Sequence, residues 1–232
     1  MKNILLIGGS LGIGQALCKL TQADYNVFVA SRTADGLAGM NVTHIPFDAL
    51  TDVLNVSLLP AVIDGFVYCP GSINLRPFRG LKLETFEADM NINFFSMVKV
   101  VQQILPQLTA SSQSSIVLFS TVAVAMGMPF HTSVAASKGA IEGFAKALAA
   151  EYAPKIRVNV IAPSLTNTPL ADKFLNNETK QEKAAERHPL KRFGQAEDLA
   201  QMALFLLSDK SSWMSGQILH VDGGMSTLLV NG

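Results

Sequence analysis

His131 and Lys138 stand seven residues apart in FHTSVAASKG. The stretch from Val134 is rich in alanine and small residues and reads as helix, where seven residues make two turns and both side chains can share a face. An imidazole is a competent proton donor near neutral pH. Val134, one turn before the lysine, has no proton to give. GMPFHTS itself reads as loop, with Thr132 or Ser133 as the N-cap, so a loop histidine without chemistry is the competing reading. A second cluster lies near the start. In LLIGGSLGIGQAL an apolar run is followed by Gly8, Gly12 and Gly14 and then by an amphipathic segment. Glycines at such a turn let backbone N–H groups approach a pyrophosphate, and the helix N-terminus adds a partial positive charge. These residues predict nucleotide binding.

The elements that must hold these groups follow from the apolar pattern. NILLIG, YNVFVAS, THIPF, IDGFVYC, SSIVLFS, IRVNVIA and GQILHVD are strand-length and continuous rather than alternating, as for strands buried on both faces. Helix-length segments lie between them at Gly14 to Gln22, Leu83 to Leu108 (two helical patterns), Val134 to Tyr152 and Ala196 to Leu207. Thr33 to Val42 contains Gly36 and Gly39 and is expected to carry little regular helix. Strands alternating with helices predict an α/β fold: a three-layer, Rossmann-like, doubly wound parallel sheet. The polar stretch 164–195 reads as an excursion over a site. No repeat or linker divides the chain, so one domain over 1–232 is expected.

Composition narrows the classes. With 18 Lys+Arg against 18 Asp+Glu and a net charge of +0, the chain lacks the electrostatic footprint of a nucleic-acid binder. No apolar run approaches the ~20 residues of a membrane span, and the start is read as a buried strand rather than a leader. A cytoplasmic protein without nucleic-acid or membrane partners is expected. Cys18 and Cys69 give no disulfide framework and are read as core thiols. No metal site is predicted.

G-x-x-x-G-x-G in this setting resembles the short-chain dehydrogenase/reductase family, and further matches cover nearly the whole chain. The resemblance implies hydride transfer between a nicotinamide and a small carbonyl or alcohol substrate. It extends cofactor binding to Ser10, Leu11 and Ile13 in the turn and to Asp48, where the family's aspartate reaches the adenine amino group. The family's threonine before the first glycine is Ile7 here. VYCPGS replaces the family's Asn-Asn-Ala-Gly, keeping Gly71, with Pro70 beside it. In RVNVIAPSLTNTPL, Pro163 is kept, Ser164 stands for the usual glycine, Thr166 follows, and Thr168 matches a threonine that binds the nicotinamide amide. HPLKRFGQAEDLA and SGQILHVDGG also match. At the end of the second strand an aspartate would favour NAD; here Ser31, Arg32 and Thr33 can donate to a 2′-phosphate, so NADP(H) is expected over NAD(H).

The resemblance also assigns the catalytic groups. Asn93, with Asn91 as the neighbouring candidate, matches an asparagine that holds a water against the lysine. Thr121, beside Ser120, matches the substrate-binding serine. Lys138 matches the lysine that binds the nicotinamide ribose and lowers the tyrosine pKa. Val134 falls where the family has that tyrosine. Three answers are open: His131 replaces the acid, at the longer spacing used by related enoyl reductases; water, the ribose hydroxyl or Thr121 supplies the proton; or the protein binds NADP(H) without turnover. Tyr68 and Tyr152 are the weaker candidates. The family commonly assembles as tetramers through the lysine-bearing helix, so a homotetramer or dimer is expected. The substrate segments, Pro163 to Gln195 and VAVAMGMPFH, suggest an apolar pocket.

Overall fold

A computed structural model of the chain describes residues 1–229. Seven parallel strands form one sheet: β1 (Lys2–Ile7), β2 (Tyr25–Ser31), β3 (Val42–Pro46), β4 (Gly65–Tyr68), β5 (Ser114–Phe119), β6 (Ile156–Pro163) and, after a two-residue pair β7 (Thr166–Asn167) and β8 (Gly194–Gln195), β9 (Ile218–Val221). Their order is β3-β2-β1-β4-β5-β6-β9. The helices are α1 (Gly12–Thr21), α2 (Leu83–Met90), α3 (Ser96–Ala110), α4 (Thr132–Tyr152), α5 (Asp172–Leu175), α6 (Glu178–Glu186) and α7 (Ala196–Leu207).

The continuous apolar runs are explained by burial on both faces. Along β1, Leu5 and Ile7 join Val100, Ile104, Ile141 and Ala145 of α3 and α4 in one cluster. Ile4 and Leu6, with the opposite parity, join Leu17 of α1 and Leu199 and Leu206 of α7 in the other. The period of two in strand side chains thus divides one run between two helical layers.

The chain runs outward from β1 to β3, then restarts at β4 on β1's other side. The carboxyl ends of β1 and β4 therefore diverge into different connections, and the crevice between them is where a doubly wound sheet takes ligands. Two local departures from regular helix shape the ends of the elements nearest that crevice. Between α2 and α3 the chain makes a π-helical turn, Asn91–Phe95, a widening that recurs at functional sites. The N-cap of α4 is His131 rather than Thr132 or Ser133, and it makes no side-chain capping bond. Thr33 to Val42 holds only a short 3-10 turn, Asp35–Leu37, as the glycines predict.

Candidate active site at the strand ends

The turn after β1 is made of backbone. Gly8 and Gly12 sit at φ +78° and +56°, the left-handed region that suits glycine. A Cβ on Gly14 would stand 2.5 Å from the Gly8 carbonyl oxygen, so only glycine lets α1 start this close to the strand. At α1's N-terminus Leu11, the exposed N-cap residue, offers no side-chain acceptor and no acid occupies the first turn, which leaves the N–H groups around Gly12, Ile13 and Gly14 without side-chain partners. Such a cradle fits a cofactor's diphosphate. Ser10 is buried beneath it. Gln15 Nε2 donates to the Gly36 carbonyl at 2.7 Å and ties the next loop to the turn.

That loop carries the residues expected at the adenosine end. Arg32 and Thr33 are exposed. Ser31 is buried, and its Oγ donates to the Thr33 carbonyl at 2.9 Å. His44 Nε2 lies 3.0 Å from the Ser31 carbonyl, an acceptor, so it carries the proton there. Asp48 Oδ1 accepts from the Leu50 N–H at 2.9 Å, shaping its own turn. Sequence reasoning missed His44, which no motif marks.

Beyond β4, β5 and β6 lies a cavity of about 440 Å³. Thr121, His131, Val134 and Lys138 all line it, as do Gly71, Pro163, Ser164 and Thr166. Ile13 and Thr168 line it from the cradle's side, and Thr168 also borders a separate hollow with Leu11 and Gly12. Lys138 is buried, and its Nζ donates to the Phe119 carbonyl at 2.9 Å. Burial pulls its pKa down from 10.5 to about 8, a fall that the nearby Asp89 carboxylate opposes. Ser120 Oγ is committed to Glu142 Oε1 at 2.5 Å. Thr121 Oγ1 only accepts, from the Ala123 N–H at 3.3 Å, so of the two hydroxyls Thr121 is the one with a proton to offer.

His131 Nδ1 lies 2.7 Å from the Pro129 carbonyl, which can only accept. Nδ1 therefore carries hydrogen and is engaged with the loop carbonyl. Val134, buried and apolar, lines the same cavity one turn before Lys138. Tyr68 is 2 % exposed and its hydroxyl donates to the Ile92 carbonyl at 2.8 Å; burial raises its pKa, and it lies outside the cavity lining.

Asn93 lies in the π turn and is fully buried, whereas Asn91 is exposed. Its Oδ1 accepts from the Ser72 N–H at 3.1 Å, and its Nδ2 donates to Ser72 and Ser137 at 3.1 and 3.0 Å. A Cβ on Gly71 would come within 3.0 Å of Asn93 Oδ1 and 3.4 Å of Lys138 Nζ, so Gly71 is where these two groups close on the chain after Pro70. Behind them Asp89, 0 % exposed, accepts from Ser72, Asn74 and Ser133 at 2.5, 2.7 and 2.5 Å. This carboxylate is held by three neutral donors rather than by a cation, and it pins α2 to α4 and to the loop after β4.

Two further groups were not legible as a pair. Ser164 Oγ and His188 Nε2 are 2.7 Å apart, and His188 Nδ1 is 2.6 Å from the Ala184 carbonyl. Nδ1 therefore donates, and the serine hydroxyl donates to Nε2. His188 is buried and fastens α6 to the end of β6. Cys18 is a core thiol as expected. Cys69 is only half-buried and borders the cavity; burial pushes both thiols up to about 12, where they are inert. Among the described residues no helix is long and apolar enough to cross a membrane, and no group of three or more His, Cys, Asp or Glu is placed to hold a metal ion.

Comparison with known proteins bears on family and fold. Residues 51–226 match the family described as Enoyl-(Acyl carrier protein) reductase. A 3-oxoacyl-(acyl-carrier-protein) reductase of Thermotoga maritima is 33 % identical over 97 % of each chain. A short-chain type dehydrogenase/reductase from Mycobacterium ulcerans superposes with a TM-score of 0.87 at 27 % identity, over 97 % of this chain and 90 % of that one. The ligand-free aldohexose dehydrogenase of Thermoplasma acidophilum superposes with a TM-score of 0.90 at 23 % identity, over 100 % and 96 %, and shows the shared fold.

Proposed function

The chain belongs to the short-chain dehydrogenase/reductase family, and from that premise we propose an NADP(H)-dependent oxidoreductase whose proton donor is His131. One observation carries the reading: His131, Thr121 and Lys138 line a single cavity at the carboxyl ends of the strands, around the apolar Val134. A bound nicotinamide would supply the hydride. Thr121 Oγ1 donates to the substrate oxygen and orients it. His131 Nε2 gives that oxygen its proton in reduction, and takes it back in oxidation, while Pro129 holds the ring in one tautomer. Lys138 binds the ribose hydroxyls, and Asn93, Ser137 and the Asp89 cluster fix the walls from which it reaches. Arg32 and Thr33 favour NADP(H) by facing a 2′-phosphate with an exposed guanidinium and hydroxyl.

The substrate in this reading is a small carbonyl or alcohol. A cytoplasmic setting belongs to the same proposal. So does self-association through α4, where Ala136, Gly143, Ala147 and Ala150 leave a small-residue face exposed. The test pairs binding with turnover. Thermal stabilisation by NADPH, with its oxidation across a panel of carbonyl compounds and loss of turnover in Lys138→Ala, is expected. Stabilisation without oxidation of NADPH by any of them would favour a non-catalytic NADP(H)-binding protein instead.

A further inference from the structure

α6 carries its charges in two stripes. At about 100° per residue, Lys180, Lys183 and Arg187 fall on one face, and Glu178, Glu182 and Glu186 fall on the opposite one. The cationic stripe lines the cavity together with Lys173 of α5, and Lys138 adds a fifth basic group from α4. No Asp or Glu lines it. A chain of net charge +0 has therefore gathered five cations and no carboxylate around one cavity.

The four cations of α5 and α6 form no ion pair among the described residues. The ion pairs among the described residues are Lys2–Asp209 and Arg192–Asp198, and neither involves the cavity. Lys173 Nζ donates to the Ile73 carbonyl, and Lys180 Nζ to the Lys173 carbonyl and Asn176 Oδ1, each at 2.8 Å. Those bonds pin α5 and α6 over the site and leave the ammonium charges uncompensated. His188, bonded to Ser164, fixes the far end of the same helix, so the stripe is held in place. Charges of one sign around a concave site raise the local concentration of the opposite sign.

The cofactor's phosphates do not explain this arrangement. The cradle at α1 borders its own hollow, which has Lys19 but also Asp172 and Glu197 and none of these cations. The candidate 2′-phosphate group, Arg32, lines neither space.

We propose that the substrate is an anion: its apolar body fills the cavity, and a carboxylate or phosphate remote from the reacting carbon is held by Lys183 and Arg187. This rests on the oxidoreductase reading above for its reacting carbon, and refines the apolar pocket expected from the sequence: Val122, Leu165 and Met128 supply apolar wall, while α6 supplies a charged rim. The guanidinium can engage either anion in bidentate fashion.

The test measures the binding of hexanoate, hexyl phosphate and 1-hexanol to the NADP⁺-saturated protein by calorimetry. At least one anion is expected to bind about tenfold or more tighter than the alcohol, the size of one charge-assisted contact, and the stronger of the two identifies the headgroup. The advantage should shrink in about 1 M salt, where screening acts within ~3 Å. It should disappear in the Lys183→Glu/Arg187→Glu double variant, with NADP⁺ affinity unchanged. Equal binding of all three probes would overturn the proposal, and so would a variant that loses NADP⁺ affinity in step with the anion, because the cations would then serve the cofactor. Failure of the wild type to bind either NADP⁺ or NAD⁺ rejects the oxidoreductase reading instead; the three probes compared without nucleotide then decide the anion site separately.

Discussion

The glycine turn after β1 and the cavity beneath α6 share one edge of the sheet but are made of different material. The turn presents backbone: uncapped N–H groups at α1, two glycines at positive φ, and a strand-to-helix approach that leaves no room for a Cβ at Gly14. The cavity presents side chains drawn from α4, α5, α6 and the ends of β4, β5 and β6. A backbone site fails by steric intrusion and tolerates changes of chemistry around it. A side-chain site fails by loss of one functional group and keeps its shape.

That contrast can be broken at several points. The largest effect is expected at His131: His131→Ala should lower kcat by ~10²–10⁴, the usual worth of a positioned acid, with NADPH affinity unchanged. Unaltered turnover would remove the imidazole from the chemistry and return the proton to water or Thr121. Gly14→Val should act in the opposite sense. Its Cβ collides with backbone, so a destabilisation of about 1–3 kcal/mol and loss of the NADPH-dependent shift in Tm are expected. A normal shift would mean that α1 can move and that the turn is not fixed by contact.

Arg32→Ala should weaken NADPH by about tenfold while leaving NADH untouched, measured as the ratio of the two Kd values. Comparable affinity of the wild type for both nucleotides would overturn the NADP(H) preference directly. For Lys138 the expectation concerns pH. Its amine is charged below about 8 in the folded protein but stays charged up to about 10.5 when unfolded. Between those values only the unfolded chain holds the proton, so the unliganded protein should gain stability as pH rises through that window. Lys138→Met should flatten the gain in denaturation curves taken at each pH, and a slope that survives the substitution would assign it to another group.

The smallest effect belongs to Ser164→Ala. It strips the donor from a buried imidazole acceptor and should cost about 1 kcal/mol in urea unfolding. A loss of kcat without loss of stability there would instead give the Ser164–His188 pair a part in proton movement.

The residues differ in how openly the sequence displayed them. Strands, crossovers and the cradle were legible because burial on two faces writes a continuous apolar run, and because close backbone contacts admit only glycine. Asn93 and Asn91 share one π turn, and burial separates them: Asn93 is buried and Asn91 exposed, on the side that the family spacing favours. Thr121 and Ser120 are likewise equivalent as neighbours; Glu142, from the next helix, engages one and leaves the other free. Asp89 carries no mark in the sequence, because its three donors come from the loop after β4 and from α4, outside its own helix.

The sequence by itself determined the doubly wound sheet, the glycine turn after β1 and the position of Lys138. Each of these depends on local pattern: hydrophobic period, glycine spacing, and the helix that carries the lysine. Tertiary structure alone decided that His131 faces the same cavity as Lys138 with one nitrogen already bonded, that Ser164 and His188 meet, and that the exposed basic residues of α6 rim that cavity. Such facts depend on the convergence of segments up to about a hundred residues apart, as Lys173 and Ile73 are, and side chains brought together across that distance carry no common spacing to be read beforehand.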